Sequence, residues 1–395
     1  MRETVFACPE VVTEVRGRVG FITLSRPRAL NALSLPMIRV LVSILRTWRE
    51  DDRVQAVAVR GTGKEGPFGA FCAGGDIRFF HQAVLAANAE LEDFFTEEYS
   101  LNHLIHHYPK PYIAFMDGIV MGGGMGLCQG GALADHAGEC EGAGRVALSA
   151  RGQGAKLRIV TPRTKMAMPE TNIGLFPDVG GGWFLGRCPG RSGEWLALTG
   201  DVIDAGDALA MQLADTCFDP SGLSAAWEAL AAIPQVDEPA LQAWVAKNST
   251  ACEDHGAMAR SEMDQFFGYD SARDIVLALE AGTSNWARAT AATLRTRSPL
   301  MLCVTLELVR RARAMSLAED LRLERDIIRH CFTTPHLGRF GAATETMEGI
   351  RALVIDKDQN PNWNPARVED VTPEMVAPFL VSPWPAYAHP LRDLR

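Results

Sequence analysis

The sequence predicts an α/β chain with a helical C-terminal extension. Three observations lead there. Strand, strand, helix and strand patterns follow one another within the first sixty residues. Two later strand patterns, at 111–116 and 157–161, run into glycine-rich stretches. Beyond 234–239 the apolar periodicity is almost purely helical. That proline-flanked segment marks the expected boundary between a core at 1–235 and a helical region at 236–395.

Residues 11–15 and 19–24 alternate apolar and polar positions around Arg16-Gly17-Arg18, the signature of a hairpin. Ser34 is placed to cap a helix through Arg49, with Met37, Val40, Leu41, Ile44, Leu45 and Trp48 at helical spacing. Residues 54–59 are apolar and β-branched, as in a buried strand. Gly61-Thr62-Gly63-Lys64-Glu65-Gly66 matches a dinucleotide fingerprint, but Pro67-Phe68-Gly69 stands where a helix should open. A surface loop is expected there.

Phe71-Cys72-Ala73-Gly74-Gly75-Asp76-Ile77 then sets two glycines before a helix that Asp76 can cap. Backbone N–H groups uncovered by side chains are what a developing negative oxygen needs. Asp117-Gly118-Ile119-Val120-Met121-Gly122-Gly123-Gly124-Met125-Gly126-Leu127 offers a second source of such donors, again entering a helix. Paired, Gly75 and Gly123 would make a two-donor oxyanion hole.

Between them, residues 91–108 read as a helix with Leu91, Phe94, Phe95, Leu101 and Ile105 on one stripe. At 100° per residue Glu98 falls in the middle of that stripe, whereas Glu97 points away. A carboxylate on a buried face requires a partner or a task. His103, His106 and His107 crowd one helix end, but no second cluster with ligand spacing follows, so no metal site is expected.

Residues 130–154 are small and polar, without a clear period, and read as an inserted surface loop. The stretch from Met168 to Gly182 places Glu170 and Asp178 eight residues apart, each directly after a proline, among apolar residues and glycines. Short helices are expected at 183–187, 195–199 and 205–213. Longer ones follow at 299–314 and 316–331, the last opened by a Ser316/Glu319 capping box. The proline-rich tail at 371–395 should wrap the surface.

A net charge of −9 argues against nucleic acid or an anionic membrane as the main partner. No stretch approaches a membrane span, and the first residues lack a signal-like apolar core. The nine cysteines are scattered, without a Cys-x-x-Cys pair, and are expected as free thiols in a cytoplasmic protein. No G-x-S-x-G elbow and no P-loop occurs.

The chain resembles the crotonase (enoyl-CoA hydratase/isomerase) superfamily, and most closely its 3-hydroxyisobutyryl-CoA hydrolase branch. The resemblance rests on Arg26-Pro27-Arg28-Ala29-Leu30-Asn31-Ala32-Leu33, on residues 71–77 and 121–127, and on the Glu170–Asp178 segment. It continues through residues 351–361, which ordinary hydratases lack, and excepts the 130–154 region. The resemblance implies a crotonase-type spiral of ββα units, a bound acyl-CoA thioester and a backbone oxyanion hole, whose donors fall on Gly75 and Gly123. It places the substrate-binding acid on Glu98 and the active-site acids on Glu170 and Asp178. Arg26 and Arg28 stand where the family often has basic residues near the CoA nucleotide. No cofactor is implied beyond the CoA of the substrate, and assembly as a trimer or a multiple of it is a family habit.

Hydratases place a second glutamate where this chain has Gly126, and hydration needs acids and bases around one water and two carbons. Hydrolysis of a short 3-hydroxyacyl-CoA is therefore expected. Hydratase or isomerase chemistry is the alternative, and a non-catalytic acyl-CoA-binding protein is a further one. Glu170 would attack the carbonyl or act as base on water, two routes the sequence leaves open.

Overall fold

The alternation around Arg16-Gly17-Arg18 yields the first two strands of the main sheet. β1 (Val11–Arg16) pairs antiparallel with β2 (Val19–Leu24), and Gly17 turns the chain at φ +57°. The computed structural model describes residues 8–129, 156–252 and 260–395. Its contacts divide the chain into two compact units, neither continuous in sequence. The first holds described residues 8–75, 101–129, 156–166 and 203–252; the second holds 76–100, 167–202 and 260–395.

In the first unit β2 continues the sheet in parallel through β3 (Ala56–Gly63), β4 (Tyr112–Met116), β5 (Lys156–Val160) and β6 (Thr216–Phe218). β7 (Ser249–Thr250) closes it antiparallel to β6. β2 is buried on both faces. Gly20 lies under Trp48 of the Leu35–Glu50 helix, where a Cβ would come within 2.5 Å of the indole. Phe21, on the other face, stacks 4.6 Å from Trp227, which also meets Phe115 at 5.1 Å. Ser34 caps the Leu35–Glu50 helix by accepting from Met37 N, as its position predicts.

Three expectations are corrected here. β3 runs on through Gly61-Thr62-Gly63 and folds back onto Gly66–Pro67, so the fingerprint is a strand end rather than a surface loop. A Cβ on Gly61 would sit 2.1 Å from Ala70 O, so this glycine serves close backbone packing. Second, the boundary expected near 235 falls inside the first unit, because the Leu223–Ala231 and Glu238–Asn248 helices share one core. Trp227 and Trp244 both belong to that core, packed on Phe115. Third, Cys217 and Cys252 form a disulfide, brought together because β7 pairs Thr250 opposite Cys217. Cys8, Cys72, Cys128, Cys188, Cys303 and Cys331 are not in disulfides. The 130–154 segment lies outside the described residues.

The second unit is helical. The Pro299–Ala312 helix packs on the Gly181–Gly186 and Ser192–Thr199 helices, and the Leu317–Phe332 helix also reaches Gly181–Gly186. The predicted capping box at Ser316 and Glu319 is formed. The tail is held by Ser382 Oγ donating to Asp326 at 2.7 Å and by Phe379, which is fully buried. Among the described residues no helix is long and apolar enough to cross a membrane.

Candidate active site

Two glycine turns meet in the first unit. Phe71 N and Cys72 N donate to Ile119 O at 3.1 and 3.0 Å, and Met121 N donates back to Cys72 O at 3.0 Å. Leu33 N reaches Gly74 O from the other side at 2.8 Å. Gly74 is left-handed at φ +99°, and a Cβ there would lie 3.4 Å from Gly123 N. The turns carrying Gly75 and Gly123 therefore run side by side. Gly123 opens the Gly123–Gln129 helix, so its N–H has no acceptor within that helix.

The approach is tight enough to test. A Cβ on Gly124 would sit 2.2 Å from Cys72 O, against backbone that cannot rotate away. Gly124→Ala is expected to cost roughly 3 kcal/mol, read as a lower urea midpoint at unchanged slope.

Arg26 is occupied with its own loop. Its Nε pairs with Glu10 at 3.1 Å and its guanidinium donates to Ala32 O at 3.0 Å. Arg28 is exposed. His107 packs its ring against both other histidines, with centroids 4.1 Å from His103 and 4.6 Å, edge-on, from His106. No group of three metal-binding side chains occurs among the described residues.

The acids gather in the second unit. Glu98 and Glu170 are 2% and 8% exposed, and each keeps one carboxylate oxygen, Oε1 of Glu98 and Oε2 of Glu170, without a hydrogen-bond partner among the described residues. Burial, then the charges of Asp178 and Glu170, holds the Glu98 carboxyl well above the ordinary range. Burial and then Asp178 do the same to Glu170. Asp178, part of whose surface stays open, is pushed up to about 6 by burial, against the pull of a hydrogen bond from Tyr99. That bond runs from Tyr99 Oη to Asp178 Oδ2 at 2.8 Å. The three acids thus feel one another as a cluster.

Glu170 sits on a single turn, Glu170–Ile173, ended by Gly174 at φ +68°. Three bonds clamp it: Thr171 Oγ1 to Leu198 O at 3.0 Å, Ser298 N to Thr171 O at 3.2 Å, and Thr346 Oγ1 to Gly174 O at 2.7 Å. Asp178 is followed by Val179 and Gly180, both left-handed at φ +58° and +87°. Past them, Glu324 accepts from Gly180 N and Gly182 N at 2.8 and 3.1 Å, and Asp320 accepts from Trp183 N at 2.8 Å. Tyr99, Asp320 and Glu324 were not singled out by the sequence reading.

Residues 19–134 and 140–380 match the family model described as Enoyl-CoA hydratase/isomerase. The chain belongs to the enoyl-CoA hydratase/isomerase family. The match omits just 135–139 of the segment read as an insertion, so most of 130–154 is family sequence. This family member is 37% identical over 372 residues to a Mus musculus protein named 3-hydroxyisobutyryl-CoA hydrolase, mitochondrial, covering 92% of this chain and 87% of that one. A Xenopus tropicalis protein of the same name is 36% identical over 372 residues, covering 93% and 87%. Both relatives are named as mitochondrial, which overturns the expectation of a cytoplasmic protein.

Two solved structures share the crotonase fold with this family member over nearly their full lengths. One, a carnitinyl-CoA dehydratase from Mycobacterium thermoresistibile, is 34% identical with a TM-score of 0.82 and covers 98% of this chain and 100% of that one. The other, an enoyl-CoA hydratase from Rhodobacter sphaeroides, is 34% identical with a TM-score of 0.78, covering 95% and 98%. Gly126, where the resemblance to hydratases implies their second glutamate, is fully buried in the Gly123–Gln129 helix.

Proposed function

We propose that the protein hydrolyses a short 3-hydroxyacyl-CoA thioester, of the 3-hydroxyisobutyryl-CoA kind, to the free acid and CoA. The observation that carries this reading is the cluster of Glu98, Glu170 and Asp178 in one unit, with unpartnered oxygens on the first two. Hydrolysis needs stabilisation of the carbonyl oxygen, an activated attacker and a proton for the departing thiolate. Gly75 and Gly123 N–H groups take the first role, worth roughly 3 kcal/mol per donor in comparable sites. Glu170 supplies the second, as nucleophile or as base on water. Asp178 exchanges protons with it, since neighbouring carboxyls split their affinities for the proton, and the proton taken from water passes by way of this pair to the departing thiolate.

Glu98 faces the acyl chain. Buried among apolar neighbours with one carboxyl oxygen unpartnered, it can hydrogen-bond the substrate's 3-hydroxyl, which selects a hydroxyacyl group over a plain one. Arg26 and Arg28 are assigned to the CoA nucleotide, with Arg28 the more available of the two.

The two solved structures named as a dehydratase and a hydratase favour a second reading, reversible hydration of an enoyl-CoA. One experiment separates them. Thiol release is followed with 3-hydroxyisobutyryl-CoA, and loss of enoyl absorbance with crotonyl-CoA. Free CoA in the first and no change in the second is the expected result; the reverse would sink hydrolysis.

A further inference from the structure

The carboxyls of Asp320 and Glu324 are each 0% exposed and lie one helical turn apart on the Leu317–Phe332 helix. Burying two acids together is costly, and burial raises the proton affinity of both. The Arg187 guanidinium relieves Asp320 in part. Such a pair weakens the fold unless its position serves a purpose.

What the pair holds is the backbone just after Asp178. Gly180 and Gly182 N–H groups each take a separate oxygen of Glu324, and Trp183 N–H takes Asp320 Oδ2. These amides start the Gly181–Gly186 helix and have no helical acceptor, and Gly180 has no side chain with which to cap them. The approach is close: a Cβ on Gly182 would meet Asp320 Oδ1 at 2.5 Å.

Val179, between Asp178 and this clamp, is strained. A β-branched residue at φ +58° is in a disfavoured conformation that persists where its surroundings over-determine it. The Asp178 side is fixed by Tyr99 Oη on Oδ2. The Gly180 side is fixed by Glu324. The two anchors bracket the strained residue and set where the Asp178 carboxylate stands.

We propose that Glu324, supported by Asp320, is a positioning residue that holds Asp178 in its working orientation through the Val179–Trp183 backbone. The inference rests on the hydrolytic reading above for the role of Asp178. A carboxyl group is required because its two oxygens serve two N–H groups. Glutamine can satisfy one and turns its own NH2 against the other.

The test is a double-mutant cycle on the full chain. Glu324→Ala, Glu324→Gln and Asp320→Asn are each made alone and with Asp178→Asn. The readouts are kcat and KM for CoA release from 3-hydroxyisobutyryl-CoA, thermal midpoint, and hydrogen exchange of the 178–183 peptide. Glu324→Ala is expected to lower kcat about 100-fold with KM within about threefold, the scale of a misplaced catalytic group. In the Asp178→Asn background it should cost less than about twofold more, because it acts through Asp178. Glu324→Gln should fall between, and stands in for the alanine variant if that fails to fold.

Fully additive losses would overturn the proposal, as would a lower thermal midpoint with kcat per folded molecule unchanged. If the wild-type protein releases no CoA, the hydrolytic reading fails by itself, and exchange then decides. Faster exchange confined to 178–183 in Glu324→Ala upholds the clamp, and unchanged exchange sinks it.

Discussion

Glu170→Gln is expected to lower kcat for thioester hydrolysis about 1,000-fold, with acyl-CoA affinity and thermal midpoint changed little. Glutamine fills the same volume on the same clamped turn, so Thr171, Ser298 and Thr346 keep their bonds to it. What it loses is the ability to take a proton or attack a carbonyl, worth roughly 100- to 10,000-fold in general-base steps. Single-turnover CoA release and equilibrium titration with a non-hydrolysable thioether analogue measure the two halves. Retention of more than about a tenth of wild-type kcat would remove Glu170 from the chemistry.

Asp178→Asn should stabilise the protein while impairing it. The Asp178 carboxyl is raised in the folded state from 3.8 to about 6. Between about pH 4 and pH 6 the unfolded chain has given up this proton and the folded one still holds it, so stability falls as pH rises across that window. Above it the penalty is fully present. Asparagine removes the penalty and can still accept from Tyr99 Oη. A gain of roughly 2 kcal/mol is expected at pH 7.5, vanishing near pH 4, together with a loss of about 100-fold or more in kcat. Urea melts at the two pH values check the first, and an Asp178→Asn protein less stable at pH 7.5 than the wild type would contradict it. A gain of this sign is the usual mark of a group kept for activity at the expense of the fold.

How far the sequence could be read depended on whether the deciding information was local. Glu98 was visible because helical period alone puts it inside an apolar stripe, and it is indeed buried. Glu170 and Asp178 stood out as acids in glycine-rich, apolar surroundings. Tyr99 did not, since a tyrosine beside Phe94 and Phe95 looks like ordinary core until its hydroxyl is seen on Asp178. Glu324 was within reach of the same argument that found Glu98. At 100° per residue it lies in the middle of the stripe formed by Leu317, Leu321, Ile327, Ile328 and Cys331, with Asp320 beside it.

Other features are tertiary by nature. The extension of β3 over Gly61-Thr62-Gly63 depends on pairing with Gly66–Pro67 and on contact with Ala70, which no local propensity encodes. The division into units follows contacts between segments far apart in sequence, so a composition shift near 235 could not reveal it.

The clamps on the Glu170 turn have a consequence for how such an enzyme can be shortened or recombined. Ser298 and Thr346, which hold that turn, belong to the last hundred residues, and Gly349 packs so closely on Ile173 that a Cβ would lie 2.3 Å from its carbonyl carbon. The C-terminal helices are thus no detachable appendage. Grafting residues 168–182 onto a scaffold of ordinary hydratase length would transplant the acids and leave behind their supports.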